Sequence, residues 1–106
     1  MEAALRAIAE PRRRRILELV RERERSAGEI AAQFDVTRPA ISQHLTVLKQ
    51  AGLVSERRNG TRRLYRARQQ GLEELRTFLE GFWDERLDAL RREAERKEAR
   101  KRERSH

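Results

Sequence analysis

Apolar residues recur at helical spacing in five separate stretches of the chain, and a short basic segment with a turn at its centre lies before the last of them. Residues 1–9 carry Ala4, Leu5 and Ile8 on one side, with Ala3 beside them. Pro11 stops that segment by disfavouring helical geometry at Glu10. So short a helix must dock to persist. Pro11 also opens a second helix, expected to run to about Arg23 and to bury Ile16, Leu17, Leu19 and Val20. Ser26 and Glu29 have capping-box spacing, which predicts a third helix from about Ala27 to Phe34 with Ile30, Ala31 and Phe34 turned inward. Only Asp35 and Val36 then separate it from a fourth, and two helices joined by so tight a turn make a helix-turn-helix unit.

The fourth helix, Thr37 to Gln50, has both ends specified. The Thr37 hydroxyl can cap a free N–H of the first turn, Pro39 sits where a missing N–H costs nothing, and Gly52 takes the left-handed conformation that closes a helix. Ile41, Leu45 and Leu48 form its inward stripe. The opposite side collects Pro39, Ser42, Gln43, Thr46 and Gln50, with Arg38, His44 and Lys49 at its flanks. A merely solvated helix would carry Glu and Lys there, as this chain does elsewhere, being 42% charged. A surface of amides and hydroxyls suits base edges in a major groove, so Ser42, Gln43, His44 and Thr46 are the candidate base contacts.

Leu53 to Arg58 and Thr61 to Ala67 flank Asn59-Gly60, a strong hairpin signal. A two-stranded ribbon is marginal alone, so it is expected to lean on the helices through Leu53, Val54 and Leu64. Its tip would project as a basic finger. Thr37, Arg38 and Lys49, with Arg57, Arg58, Arg62 and Arg63 from this finger, are the candidate phosphate contacts. The bland alternative is that edge-strand charge only prevents aggregation. From Gly71 onward Leu72, Leu75, Leu79, Phe82, Trp83, Leu87, Leu90 and Ala94 follow a near-heptad stripe, too long for one small domain to cover. A twin copy is the simplest cover, which puts Leu5, Ile8, Leu79, Phe82, Trp83, Leu87 and Leu90 at a homodimer interface. The fold class expected is mainly α with a small β-hairpin, paired through its N- and C-terminal helices.

Composition adds bounds. At 106 residues the chain is one domain, with residues 1–94 expected to bind DNA and dimerise and residues 95–106 to form a charged extension or tail. The absence of cysteine excludes disulfides and thiolate metal sites. No apolar run approaches the roughly 20 residues that span a bilayer, and the N-terminus lacks a signal-peptide core, so a soluble cytoplasmic protein is expected. A net charge of +8 points to a polyanionic partner, nucleic acid before membrane. Arg12 to Arg15 crowd the start of the second helix against its macrodipole, to be relieved by phosphates, by carboxylates elsewhere in the fold, or simply by solvent. With two isolated histidines and no glycine-rich phosphate loop, no enzyme is expected, and no cofactor.

Pro11-Arg12-Arg13-Arg14-Arg15-Ile16-Leu17-Glu18-Leu19, Ser42-Gln43-His44-Leu45 through Leu48 to Ala51-Gly52-Leu53-Val54, and the arginine-rich hairpin together resemble the ArsR/SmtB family of winged-helix repressors, over about residues 3–90. The resemblance implies a homodimer on an inverted-repeat operator, released from DNA by an inducing signal. Many members sense metals through cysteines near the recognition helix or through Asp and His on the C-terminal helices. Here the cysteines are absent, Asp84 and Asp88 have no histidine nearby, and His106 is terminal, so no metal is expected through the usual sites. The alternative function is a winged-helix module that binds RNA or a protein partner.

Overall fold

Side chains that satisfy free backbone groups set the ends of the helices. The computed structural model describes residues 1–104, so His106 lies outside the described residues. Helix α1 spans Glu2–Ala9 and α2 spans Pro11–Glu22, with the Glu10 carboxylate accepting the Arg13 N–H at 3.0 Å as its cap. Strand β1 is Arg25–Ser26, and α3 is Ala27–Ala31 with both halves of the Ser26/Glu29 capping box formed. Helix α4 spans Arg38–Gln50, β2 Val54–Asn59, β3 Arg62–Ala67 and α5 Gln69–Arg104.

Two arginines of the α2 cluster turn to backbone carbonyls of the preceding helix. Arg13 donates to the Ala7 and Arg6 carbonyls at 2.7 and 3.0 Å, and Arg14 to the Ile8 carbonyl at 2.7 Å. These are the free carbonyls at the negative end of α1, so cations that oppose one macrodipole complement its neighbour. Arg25 serves α2 in the same way, donating to the Leu19 carbonyl at 2.9 Å. Helix α3 is shorter than its apolar pattern suggests. The Gln33 and Phe34 N–H groups bond the carbonyls of Ile30 and Ala31, three residues back, and this tightened turn ends the helix before α4.

Helix α4 ends as its glycine predicts. Gly52 has φ +76°, its N–H bonds the Lys49 carbonyl, and the Leu53 N–H bonds the Leu48 carbonyl, both at 3.0 Å. That pair of bonds is a Schellman motif, and its apolar partners Leu48 and Leu53 are both fully buried. The hairpin acquires a third strand: the sheet order is β1-β3-β2, antiparallel throughout, with Arg25 opposite Tyr65 and Ser26 opposite Leu64. Its turn sits one residue later than expected. Asn59 pairs with Arg62, so Gly60 and Thr61 form the loop. Asn59 at the first central position of a type I′ turn would need positive φ, and among the described residues only Gly52 and Gly60 have it. Gly60 therefore leads the loop, as in a II′ turn.

The chain divides into a unit of Met1–Leu75 and a second unit beginning at Arg76. In the first, Ile16, Val20, Ile30, Ile41, Leu45, Leu48 and Leu53 are each less than 2% exposed. Over residues 76–103 Leu79 is half-buried and the others are exposed.

Candidate nucleic-acid interface

Helix α4 packs Ile41, Leu45 and Leu48 inward, which fixes its rotation and leaves Arg38, Pro39, Ser42, Gln43, Thr46, Lys49 and Gln50 exposed. No acidic side chain interrupts that face. The Thr46 hydroxyl donates to the Ser42 carbonyl at 3.0 Å, so its proton is committed and its lone pairs face outward as acceptors. Gln43 makes no hydrogen bond with another described residue that would commit its amide. His44 differs from these. It is half-buried, with Nδ1 3.4 Å from the Arg13 guanidinium. A guanidinium can only donate, so Nδ1 is the acceptor and the ring proton of the neutral histidine resides on Nε2. The Thr37 hydroxyl accepts the Ala40 N–H at 3.3 Å as the helix cap.

The four candidate arginines near the wing tip do not stand alike. Arg57 grips Glu24 with two bonds of 2.7 Å, and Arg62 reaches Glu29 at 2.6 Å. The Arg57 bond holds the Glu24 carboxyl below its ordinary range. The Ser26 backbone N–H does most to lower that of Glu29, with Arg23 and Arg62 adding to it. Arg58 and Arg63, in contrast, face each other across the β2–β3 ladder, and among the described residues neither has a carboxylate in ion-pair range. Like charges directly opposed on a sheet repel. Arg38 also lacks a carboxylate partner there, whereas Lys49 lies 3.6 Å from Glu56.

Between α4 and the hairpin runs a cleft of about 730 Å³. Ser42, Thr46 and Lys49 line one wall, and Tyr65, Arg63 and Glu56 line the other. Burial pushes the Tyr65 phenol up, and its hydrogen bond to Glu56 adds to the shift.

Away from this surface, Leu5 and Ile8 are half-buried on α1. On α5, Phe82, Trp83, Leu87 and Leu90 are 43%, 59%, 58% and 62% exposed, and Phe78, which falls outside the expected heptad set, is 41% exposed. Phe82 and Trp83 meet edge to face with centroids 6.1 Å apart, and the Arg86 guanidinium lies 5.3 Å over the Phe82 ring. Among the described residues no three His, Cys, Asp or Glu gather as metal ligands, and no helix is long and apolar enough to cross a membrane. The carboxylates Glu24 and Glu29 escaped the sequence reading of the wing, because each lies 33 residues from its arginine.

A tight helix pair whose second member shows a polar, acid-free face, followed by a basic hairpin on the same side, defines a winged helix-turn-helix of the DNA-binding regulator class. The chain belongs to the arsR family of bacterial regulatory proteins, whose model matches residues 10–56. It is 46% identical over 82 residues to the HTH-type transcriptional regulator Rv2034 of Mycobacterium tuberculosis, covering 77% of each chain. It is 43% identical over 60 residues to the transcriptional repressor SdpR of Bacillus subtilis, covering 57% of this chain and 67% of that one. It also superposes on the homodimeric winged helix-turn-helix DNA-binding domain of Mb0332 from Mycobacterium bovis, a possible ArsR-family regulator. That match has a TM-score of 0.65 at 33% identity and covers 79% of this chain and 78% of the other. The protein is thus a DNA-binding transcriptional regulator of this family.

Proposed function

We propose that the chain acts as a cytoplasmic repressor, two copies binding an inverted-repeat operator with one α4 in each of two major grooves roughly 34 Å apart. The single observation that carries this is the exposed face of α4, polar and free of carboxylates beside a basic wing. Ser42, Gln43 and Thr46 read base edges, and His44 offers its Nε2–H at the edge of that surface. Thr37, Arg38 and Lys49, with Arg58 and Arg63 of the wing, hold phosphates. Leu5, Ile8, Leu79, Phe82, Trp83, Leu87 and Leu90 bury their apolar surface against the twin subunit. Residues 1–94 carry both tasks, and residues 95–106 extend them with charge. Repression has support in SdpR, which is named a repressor, and pairing in the homodimeric Mb0332 domain.

The signal that releases DNA does not act through the usual metal sites. The chain has no cysteine, and its two histidines are His44, beside Arg13, and His106. Among the described residues His44 has no second N or S donor clustered with it of the kind a transition metal requires.

Selection of duplexes from a random pool by the purified protein is the direct test, and a palindromic consensus is expected. Gln43→Ala should then cost about 1–3 kcal/mol on that consensus and relax discrimination at one position of each half-site. Equal losses on consensus and random DNA would remove Gln43 from the reading set. Comparable affinity for structured RNA, or no consensus at all, would overturn operator binding itself.

A further inference from the structure

Of the four arginines nearest the tip of the wing, two are neutralised within the chain and two have no carboxylate partner among the described residues. Glu24 precedes β1 and Glu29 lies on α3, so the acids that hold Arg57 and Arg62 belong to the helix-turn-helix side of the domain. Both are well fixed. The Glu24 pair is bidentate at 2.7 Å, the strongest geometry an arginine and a carboxylate adopt. Glu29 Oε1 accepts both the Ser26 N–H of the capping box and Arg62, while its Oε2 lies 3.4 Å from Arg23. Freeing Arg62 would therefore leave a carboxylate anchored beside any incoming phosphate. Arg58 and Arg63 are in the reverse situation: Arg63 reaches only the neutral Tyr65 phenol, and the two, opposed across the ladder without an acid, repel each other until an anion lies between them.

We infer that Glu24 and Glu29 are internal counter-ions that withhold Arg57 and Arg62 from DNA, so that of the four arginines nearest the wing tip only Arg58 and Arg63 contact phosphate. The inference rests on the DNA-binding function proposed above. It deepens that function by making two glutamates determinants of specificity. Affinity for random DNA is almost entirely phosphate attraction, whereas affinity for an operator also has base contacts. In a random complex the protein can shift along the backbone until every free cation meets a phosphate. On the operator its register is fixed by α4. Two neutralised arginines therefore lower random binding more than operator binding.

The test is the salt dependence of duplex affinity, whose logarithmic slope rises by about one for each added phosphate contact. Glu29→Gln keeps a side chain that completes the capping box, so the fold survives while the counter-ion is lost. It should steepen the slope by about one and raise affinity for random duplex several-fold, with a smaller gain on the operator. The double variant Glu29→Gln/Arg62→Ala should return to the wild-type slope, since it removes a neutral pair. Arg63→Ala should flatten it by about one. Glu24→Gln and Glu24→Gln/Arg57→Ala repeat the design at a second, independent pair. If the Arg62 double variant falls below the wild-type slope by as much as Arg63→Ala does, Arg62 leaves Glu29 for phosphate on binding and the inference is wrong. A wild-type protein with no salt-dependent duplex affinity would instead remove the proposed function, and the inference with it.

Discussion

The same helical periodicity of apolar residues has opposite outcomes in the two units of this chain. Within Met1–Leu75 the apolar stripes of α2, α3 and α4 meet one another and the sheet, and their central side chains are less than 2% exposed. From Arg76 onward the stripe is as regular, yet Trp83, Leu87 and Leu90 keep 58–62% of their surface in contact with solvent. Hydrophobic spacing marks which face of a helix must be covered, but not which chain supplies the cover. The first unit is stabilised by its own burial. The second is held as a helix by local pairs such as Arg76 with Glu80 at 2.9 Å, and pairs of that kind contribute only tenths of a kcal/mol. Its aromatic stripe adds only local contacts, Phe82 with Trp83 and with Arg86, and leaves most of its apolar surface in water.

The contrast breaks first at single leucines. Leu48→Ala empties a site that is fully buried and should cost about 2–5 kcal/mol in denaturant unfolding. Leu87→Ala, measured where the chain is dilute enough to be monomeric, should change unfolding by no more than about 0.5 kcal/mol. A large loss at Leu87 under those conditions would mean that the second unit is covered within its own chain. The next effect concerns association. Trp83→Ala should weaken self-association by about 2 kcal/mol, near thirtyfold in Kd, and operator affinity should fall with it. Sedimentation velocity reads the first and fluorescence anisotropy the second. A variant still dimeric at low micromolar concentration would move the interface off this stripe.

What could be read from the residues was whatever is encoded over one or two turns of chain. The Ser26/Glu29 box, the Thr37 cap, the inward set Ile41, Leu45 and Leu48, and the closing Gly52 all depend on neighbours within a few positions, and all are observed. The features that sequence missed depend on partners far away or on signals too short to repeat. Strand β1 has two residues and exists only because Tyr65 and Leu64 lie opposite it. The shift of the turn to Gly60–Thr61 is a choice between two tight turns that one glycine allows. At the candidate interface, the exposure of Ser42, Gln43 and Thr46 followed from the inward stripe, because burying one side of a helix fixes the other. The divided roles of the wing arginines were illegible, since nothing local to Arg57 or Arg62 names Glu24 or Glu29.

The finest test of the contrast uses one substitution twice on the same helix. Gly71 and Gly81 both lie in α5, and on propensity alone Ala should stabilise either by up to about 1 kcal/mol. At Gly71 the gain is overridden. A Cβ there would stand 2.0 Å from the Gly52 carbonyl oxygen and 3.0 Å from its carbon, both of them backbone atoms at the end of α4. They cannot simply rotate away, because the Arg68 N–H bonds the next carbonyl, that of Leu53, at 2.8 Å and ties the same segment in place. Gly71→Ala should therefore cost about 1–3 kcal/mol, the range for overpacking a tight contact. Around Gly81 a Cβ meets nothing within 4 Å, so Gly81→Ala should show the propensity gain in the thermal unfolding of the monomer. If that gain turns into a loss only at concentrations where the chain associates, the partner's backbone approaches at Gly81, and the surface left open by one chain is closed there by two.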